Sequence, residues 1–402
     1  MSLRSKKLLR YILTVCLCAV ALEALVRVYY SVKVGAEVLL YGIVDSPHDV
    51  LFDPKGVMLR WDEKYANTAI HNNVFENYSK YYPNQKRIHP DEFGKTIDAT
   101  INSSGFRGKN FERKKKPGVV RIVTLGASST FGFKTRDDQT YPYLLEEALN
   151  TALRSTNSAK PVESSDQPIS RYEVINLGIP HLQSDQIYSL FMAEAVPLEP
   201  DVVTFYEGYT DAAGGPRDDA VRQRVKRIPL VTTVFRELRH RVLFVALVAN
   251  KSFGRRYAAL DATVNGFQGE AQAKQEQFIK NLEAIYQECQ KRHFLFIVAN
   301  QQAKSLNVDR DKIQGVSYAE EASLLRGKLS TNGGVFALEK YFLIHNGLMD
   351  AERQWARTNN VSFVDVIGAM NPNRQCLIDW MHLNDEGNRI VAAALGDKII
   401  TR

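Results

Sequence analysis

Residues 119–132 read VVRIVTLGASSTFG: a largely apolar run, then a glycine, then two adjacent serines. The run from Val119 to Leu125 predicts a mostly buried strand, with Arg121 near its start, where we expect its side chain to reach solvent. Gly126 then predicts a tight turn from this strand into a helix. Ser128 should therefore be displayed on that turn, at the carboxyl end of the strand.

Strand-like and helix-like segments alternate from this point to the C-terminus. Further strands are predicted at 172–177, 201–206, 293–299 and 361–366, and helices from 141, from 184, around 278–289, at 338–358 and at 384–398. This alternation predicts an α/β fold, with one parallel sheet and helices on both of its faces. Gly126, Gly178 and Gly208 each follow a predicted strand, so we expect these three turns to converge at the carboxyl edge of the sheet.

The first 30 residues differ from the rest of the chain. A cationic tip precedes an apolar stretch, Tyr11 to Val26, which only Thr14 and Glu23 interrupt. The tip contains Arg4, Lys6, Lys7 and Arg10. Counted from Leu8, the stretch has about 19 residues, enough to cross a bilayer as a helix, and its cationic side should stay in the cytoplasm. We therefore expect an uncleaved, single-pass membrane anchor, with a cleaved signal peptide and a buried soluble helix as the alternatives.

The chain divides into three predicted regions. Residues 1–30 form the cytoplasmic tip and anchor, residues 31–117 an extension and linker, and residues 118–402 an α/β domain exposed outside the cytoplasm. Within that domain, the less regular residues 212–268 are a candidate lid, and ordinary packing is the alternative.

Composition excludes some classes of function. The formal charge of +7 is spread along the chain, and an exported, anchored domain has little access to nucleic acid, so no nucleic-acid partner is expected. No spacing of cysteine and histidine suggests a metal site, and we expect no cofactor. Of the four cysteines, only Cys289 and Cys376 lie in the exported part, where a disulfide between them is one alternative.

A second segment with candidate catalytic side chains, Asp379-Trp380-Met381-His382, lies near the C-terminus. Its carboxylate precedes its imidazole by three residues, so both groups can lie on one side of a loop or helical turn. Together with Ser128 they supply a nucleophile, a base and an orienting acid. The plainer alternatives are a helix cap or phosphate-binding turn at Ser128, and a surface pair for Asp379 and His382. A P-loop is disfavoured because the turn lacks the lysine that such a loop requires.

These segments resemble the sequence blocks of the SGNH (GDSL-like) hydrolase superfamily, in that family's order, over residues 119–402. The matching segments are Gly126-Ala127-Ser128, the glycine of Asn176-Leu177-Gly178, Gly208-Tyr209-Thr210-Asp211, and Asp379 to His382. Residues 101–108, INSSGFRG, followed by a Lys-Pro linker, also resemble a membrane-anchored bacterial branch of these proteins. The resemblance implies a flavodoxin-like, three-layer α/β/α fold.

The resemblance also implies roles for individual residues. Ser128 would be the nucleophile and, through its own N–H, an oxyanion donor; Ser129 is out of register for attack. Gly178 would supply a second oxyanion N–H, since a glycine lets the acyl oxygen approach the backbone. His382 would be the base, and Asp379 would orient it.

Two positions depart from the family pattern. Ala127 replaces the usual aspartate, which leaves the attacking group intact. Thr210 stands where the family has an asparagine that donates to the oxyanion, and a threonine hydroxyl has a shorter reach. One such donor is worth about 3 kcal/mol of barrier. Asp211 is expected to be structural, and His181 is a candidate substrate contact.

The sequence thus predicts a serine esterase that acts outside the cytoplasm on an acylated cell-envelope glycan or lipid. An O-acyltransferase acting on an exported polysaccharide would use the same triad, because exclusion of water is a property of the pocket. A non-catalytic carbohydrate-binding protein with a degenerate site is the alternative from another class, and Thr210 motivates it.

Overall fold

The computed structural model describes residues 3–34, 78, 81, 84–90, 96–155, 168–214, 263–305 and 313–401. The strands in these ranges are β1 (Gln85–Pro90), β2 (Thr96–Ile101), β3 (Val119–Gly126), β4 (Arg171–Asn176), β5 (Val202–Tyr206), β6 (Thr263–Val264), β7 (Leu295–Ala299), β8 (Val335–Phe336) and β9 (Ser362–Val364). The α-helices are α1 (Leu3–Val34), α2 (Ser128–Phe131), α3 (Tyr141–Ser155), α4 (Ser184–Leu190), α5 (Tyr209–Ala213), α6 (Gln268–Lys291), α7 (Tyr318–Asn332), α8 (Ala337–Thr358), α9 (Val366–Met370) and α10 (Asp385–Ile400). A π-helical turn, Phe191–Ala195, continues α4, and 3-10 turns cover Asp137–Gln139, Val196–Leu198 and Asn371–Cys376.

Five of the strands form one parallel sheet in the order β4-β3-β5-β7-β9. The winding reverses at β3, because the chain adds β4 on one side of β3 and then β5 on the other. This order is flavodoxin-like, and such sheets open a crevice at the carboxyl edge where the winding reverses. The predicted fold class is confirmed, and all five predicted strands are present with ends within two residues of their predicted positions.

Both faces of the sheet are covered, because successive residues of a strand point to opposite faces. On one face Ile122 packs in a cluster with residues of α3 and α10 such as Leu395. On the other face Val123 packs with residues of α6 and α8 such as Phe278 and Phe342. Each fully buried side chain of this kind contributes roughly 1.5–3 kcal/mol of transfer free energy. These two cores make the expected three layers and fix the carboxyl ends of the strands on a rigid base.

The side chain of Arg121 is buried, so the expectation that it reaches solvent is wrong. The residue is 1% exposed, and its guanidinium forms an ion pair with Glu173 of β4 at 2.7 Å. It also donates to the carbonyls of Glu112, Arg113 and Leu198. A buried arginine is tolerated when hydrogen bonds replace its water. Arg121 therefore ties the first sheet strand to its neighbour and to two crossing segments.

The extension before residue 118 contributes to the same core as the sheet. The strands β1 and β2 pair antiparallel, and Ala99, Ile101 and Phe106 are buried against residues of the sheet and its helices. The sequence did not predict this hairpin, because β1 reads QKRIHP and has one aliphatic residue in six. Its order comes from packing and pairing that a hydrophobic pattern cannot reveal.

The apolar N-terminal segment is one continuous helix, α1. Its 20-residue segment Arg10–Tyr29 is long and apolar enough to cross a membrane, a test that a signal sequence would also pass. Glu23, the charge that interrupts the apolar stretch, forms an ion pair with Arg27 one turn later at 2.7 Å. The pairing lowers the cost of placing either charge near a bilayer.

Two further predictions concern the candidate lid and a disulfide between Cys289 and Cys376. Most of the candidate lid, residues 212–268, lies outside the described residues. Cys289 and Cys376 are both buried and are not joined by a disulfide. Burial raises the pKa of the Cys289 thiol to about 12, so this side chain behaves as a small apolar residue of the core.

Replacement of the buried Arg121 should destabilise the fold strongly. We expect Arg121→Met to lower the free energy of unfolding by about 3 kcal/mol, because it strands a buried carboxylate and three carbonyls. The matched control is Arg171→Met, which removes the half-exposed second partner of the same Glu173 and should cost less than about 1 kcal/mol. Urea unfolding of the purified full-length protein measures both, and equal losses would contradict this account.

Candidate active site

Three turns meet at the carboxyl edge of the sheet, as the sequence analysis expected. Ser128 begins α2 directly after β3 and Ala127, and it accepts the N–H groups of Gly132 and Phe133 at its carbonyl. Gly178 follows β4, and Gly208 follows β5. These are the strands on either side of the winding reversal, so Ser128 lies between the other two turns.

The structure brings the three predicted residues into hydrogen-bond contact. His382 Nε2 lies 2.8 Å from Ser128 Oγ, and His382 Nδ1 lies 2.7 Å from Asp379 Oδ2. An ionised carboxylate only accepts, so Nδ1 carries the proton and Nε2 is left to accept the serine hydroxyl. Ser128 and His382 are only 4% and 6% exposed. The arrangement can therefore take a proton from the hydroxyl inside a largely dehydrated site.

Both oxygens of the Asp379 carboxylate form hydrogen bonds with residues of its own loop. Its Oδ1 accepts the N–H groups of Met381 and His382 at 3.1 and 2.9 Å, while its Oδ2 faces the imidazole. Burial by itself would raise the pKa of Asp379, but His382, Lys134 and these amides outweigh it and hold the pKa well below its usual range. The carboxylate thus stays ionised and fixes the imidazole in one tautomer.

A buried arginine anchors the loop that carries this pair. Arg374 is fully buried, forms an ion pair with Glu321 of α7 at 2.5 Å, and donates to the carbonyl of Ala303 at 2.6 Å. Nearby, the N–H of Lys304 donates to the carbonyl of Trp380 at 2.9 Å. The segment after β7 therefore supports the loop from behind, and this distant support is what places His382 over Ser128.

Ser129 is a cross-link, not a second attacking group. Its hydroxyl donates to the carbonyl of Met381 at 3.1 Å and accepts Gln301 Nε2 at 3.0 Å. Gln301 Oε1 in turn accepts the N–H of Tyr209 at 2.7 Å. Sequence reasoning missed Gln301, although the run Asn300-Gln301-Gln302 after a predicted strand was the available signal. This one amide joins the turns after β3, β5 and β7.

The N–H of Gly178, expected to face an oxyanion, donates to Asn176 Oδ1 at 2.9 Å in this structure. Asn176 Nδ2 donates to the carbonyl of Thr130 at 3.0 Å. A Cβ at Gly178 would collide with the backbone of Thr130 and Phe131, so glycine is required here by close approach. As an oxyanion donor the N–H would have to share or release its bond to Asn176, and its role stays a prediction.

Thr210, the departure from the family pattern, lies beside a buried carboxyl group. Glu207 accepts the N–H of Thr210 at 2.8 Å and that of Ala127 at 3.0 Å. Burial raises the pKa of Glu207, and the backbone donors oppose that rise. The Thr210 hydroxyl oxygen is buried near this carboxyl group, without a hydrogen bond of good geometry among the described residues. Its donation to an oxyanion also stays a prediction.

Asp211 has the structural role that the sequence predicted. It accepts the N–H of Ser184 at 3.0 Å and its hydroxyl at 2.5 Å, which joins α5 to the first turn of α4. His181, the candidate substrate contact, is exposed and has a left-handed backbone, with φ of 68°. Its proposed contact with substrate stays a prediction.

Two half-buried aromatic rings flank the imidazole. The ring of Phe133 lies 5.0 Å from that of His382, and the ring of Trp380 lies 6.3 Å from it. Trp380 also packs near Tyr209, at 6.4 Å. Because both rings are only partly covered, they offer planar apolar surface next to the His382 imidazole.

Comparison with known proteins places this geometry in context. The sequence profile of the GDSL-like Lipase/Acylhydrolase family matches residues 124–390. The chain is similar to the solved structure of a lipolytic protein of the G-D-S-L family from Desulfitobacterium hafniense (13% identity, 69% of this chain and 99% of that one, TM-score 0.38). It is also similar to the lipase/acylhydrolase from Enterococcus faecalis (15% identity, 70% of this chain and 96% of that one, TM-score 0.38). The acetyl xylan esterase AlAXEase is similar as well (18% identity, 70% of this chain and 98% of that one, TM-score 0.38). No curated protein sequence matches the chain.

Asp211 should make the stability of the fold depend on pH. Burial raises its pKa to about 7, above the unfolded value of about 3.9, so ionisation disfavours the folded state and stability falls as pH rises from about 4 to 7. Asp211→Asn cannot ionise. We expect its melting temperature, relative to the unmodified protein, to be about 5–10 °C higher at pH 8 than at pH 5. Thermal unfolding at both pH values tests this, and a constant difference would contradict the raised pKa.

Proposed function

The chain belongs to the GDSL-like lipase/acylhydrolase family, and from that premise we propose that it hydrolyses a carboxylic ester through an acyl-enzyme on Ser128. The observation that carries the proposal is the pair of hydrogen bonds that join Ser128 to His382 and His382 to Asp379. A nucleophile, its base and an orienting acid in this order are the requirement for attack by serine.

In the proposed first half of the reaction, Ser128 Oγ attacks the acyl carbon while its proton passes to His382 Nε2. The tetrahedral intermediate collapses when Nε2 returns that proton to the alcohol oxygen, which leaves with the former ester bond pair. Asp379 remains ionised, and it stabilises the imidazolium that forms between these two transfers.

In the second half, water attacks the acyl carbon of the acyl-enzyme and gives a proton to the same Nε2. The proton then moves to Ser128 Oγ as the carboxylic acid leaves. Negative charge develops on the carbonyl oxygen in both halves. The N–H of Ser128 opens α2, so it has no acceptor within the helix and is a donor for that oxygen. Gly178 and Thr210 are the two further proposed donors.

We further propose that the domain works outside the cytoplasm on an acyl group carried by a cell-envelope glycan or lipid. The apolar helix with its cationic N-terminal tip supports a membrane location with the domain exported. A membrane-bound enzyme meets envelope polymers and lipids more readily than soluble metabolites. The partly covered rings of Phe133 and Trp380 suit a sugar ring or an acyl chain.

A fluorophosphonate probe tests the nucleophile directly. We expect the full-length protein to be labelled at Ser128, Ser128→Ala to lose the label, and its esterase kcat to fall by at least about 10³-fold. The matched control is Ser129→Ala, which removes the neighbouring hydroxyl and should retain labelling, although more slowly because a cross-link is lost. Absence of labelling in the unmodified protein would favour the non-catalytic binding alternative.

Two substitutions test Thr210 as an oxyanion donor. Thr210→Asn supplies a longer donor, and we expect it to raise kcat for a short-chain ester by about tenfold. Thr210→Val keeps the shape and removes the hydroxyl, so we expect it to lower kcat by roughly 10–100-fold. Steady-state kinetics on purified variants measure both effects. If both variants match the unmodified protein, the hydroxyl does not contact the oxyanion.

A further inference from the structure

The loop that follows α2, residues 132–136, places a cation on the proposed acid. Lys134 Nζ lies 3.5 Å from Asp379 Oδ2, the same oxygen that accepts His382 Nδ1. The ammonium is therefore within about 6 Å of that nitrogen. The residue before it, Phe133, packs its ring on the imidazole. One short loop thus contacts both the base and its orienting carboxylate.

The backbone of this loop is strained. Lys134 has φ of 64° and Gly132 has φ of 82°, both in the left-handed region. A non-glycine residue costs roughly 1–2 kcal/mol there. Such a conformation persists only where surrounding contacts impose it, so something outside the loop must hold Lys134 in place.

A buried arginine from the extension supplies that support. Arg107 is 2% exposed and donates to the carbonyls of Phe131, Gly132 and Thr135. Its Nε also donates to Asp137 at 2.8 Å. The guanidinium therefore binds both ends of the loop at once, in the fixed planar geometry that only arginine offers.

We propose that Lys134 is a positioning residue for the His382–Asp379 pair, and that Arg107 of the extension holds it in that position. The inference rests on the proposed function, since it concerns how the proposed base is tuned. Lys134 shares the carboxylate oxygen with the imidazole, which limits how strongly that oxygen can favour imidazolium. Removal of this cation should therefore change the pH dependence of the reaction and not only its rate.

Other charges near the imidazole differ in how strongly they act. Arg136, on the same loop, is more than half exposed and pairs with Asp138 and Asp385. Glu207 is buried, and it accepts the N–H of Ala127 in the turn that carries Ser128 and the N–H of Thr210 in the turn after β5. Asp379 faces the imidazole directly. Among the described residues, Lys134 is the cation that pairs with that carboxylate, and at 28% exposure it is less screened by solvent than Arg136.

Substitution of Lys134 should move the pH profile of the enzyme. We expect Lys134→Met to shift the acid limb of kcat/KM upward by roughly 0.5–1 pH unit, because loss of a cation about 6 Å away favours the charged imidazole. Lys134→Arg should restore the original limb. Arg136→Gln, the matched control, removes an exposed cation two residues away and should shift the limb by less than about 0.2 unit.

Substitution of Arg107 tests whether the extension holds the loop. Arg107→Lys keeps the charge but cannot bind the loop carbonyls as a fork, and we expect it to produce the same upward shift with kcat lowered about tenfold. The Arg107→Lys/Lys134→Met double variant should show the same shift as Lys134→Met alone, because both substitutions remove the same contact, that of Lys134 with Asp379. Additive shifts would contradict the coupling. If Arg107→Lys does not fold, the Lys134 series remains a complete test of the tuning.

The possible failures are distinguishable. If the unmodified protein neither reacts with the probe nor cleaves esters, the proposed function fails. If it is active and Lys134→Met leaves the acid limb in place or lowers it, the positioning role fails alone. Equal loss of kcat in Lys134→Met and Lys134→Arg, with no shift of the limb, would also overturn it and assign Lys134 a purely structural role.

Discussion

The hydrogen bond between His382 and Ser128 is the contact on which the rest of this structure depends. It joins two side chains 254 positions apart in the sequence, and the hydroxyl and the imidazole come from opposite ends of the α/β domain. A displacement of about 1 Å at such a contact costs on the order of 100-fold in rate. The fold must therefore hold the turn after β3 and the loop before α10 to a tolerance that apolar packing alone does not provide.

Hydrogen bonds from buried polar groups provide that precision, and each of these groups connects separate turns or segments. Gln301 links the turns after β3, β5 and β7, while Glu207 links the turns after β3 and β5. Arg374 fixes the loop of His382 to α7 and to the segment after β7. Hydrogen bonds are directional, so a satisfied buried network specifies one arrangement where apolar contacts would accept several. Arg107 extends the same principle to a segment outside the sheet.

The sequence predicted the sheet well because its strands are mostly apolar runs, three of which are followed closely by a glycine, and such a pattern is local information. It also predicted that the turns after β3, β4 and β5 meet, since the carboxyl ends of parallel strands lie at one edge of the sheet. The contact of Ser128 with His382 was expected from the resemblance of the sequence blocks and not from strand order. Features that depend on tertiary contacts were not predicted from the sequence. These are α7 and the β6–β8 pair, together with the burial of Arg121, whose partners come from other segments of the chain. The roles of Gln301 and Arg107 were not predicted from the sequence. The partners of Gln301, Ser129 and Tyr209, are distant in sequence, and Arg107 donates mainly to backbone carbonyls, which any sequence supplies.

The position before Ser128 illustrates how this chain meets the family's requirements with different residues. Ala127 has no side chain to brace the turn, but its N–H donates to Glu207, which also accepts the N–H of Thr210. An ionised carboxylate beside the proposed oxyanion donors Ser128 and Thr210 would oppose negative charge on the acyl oxygen. Burial, however, raises the pKa of Glu207 and so favours the neutral acid, which can brace both turns while adding less negative charge to the site. The burial that makes this brace rigid thus also makes it compatible with the proposed acyl transfer.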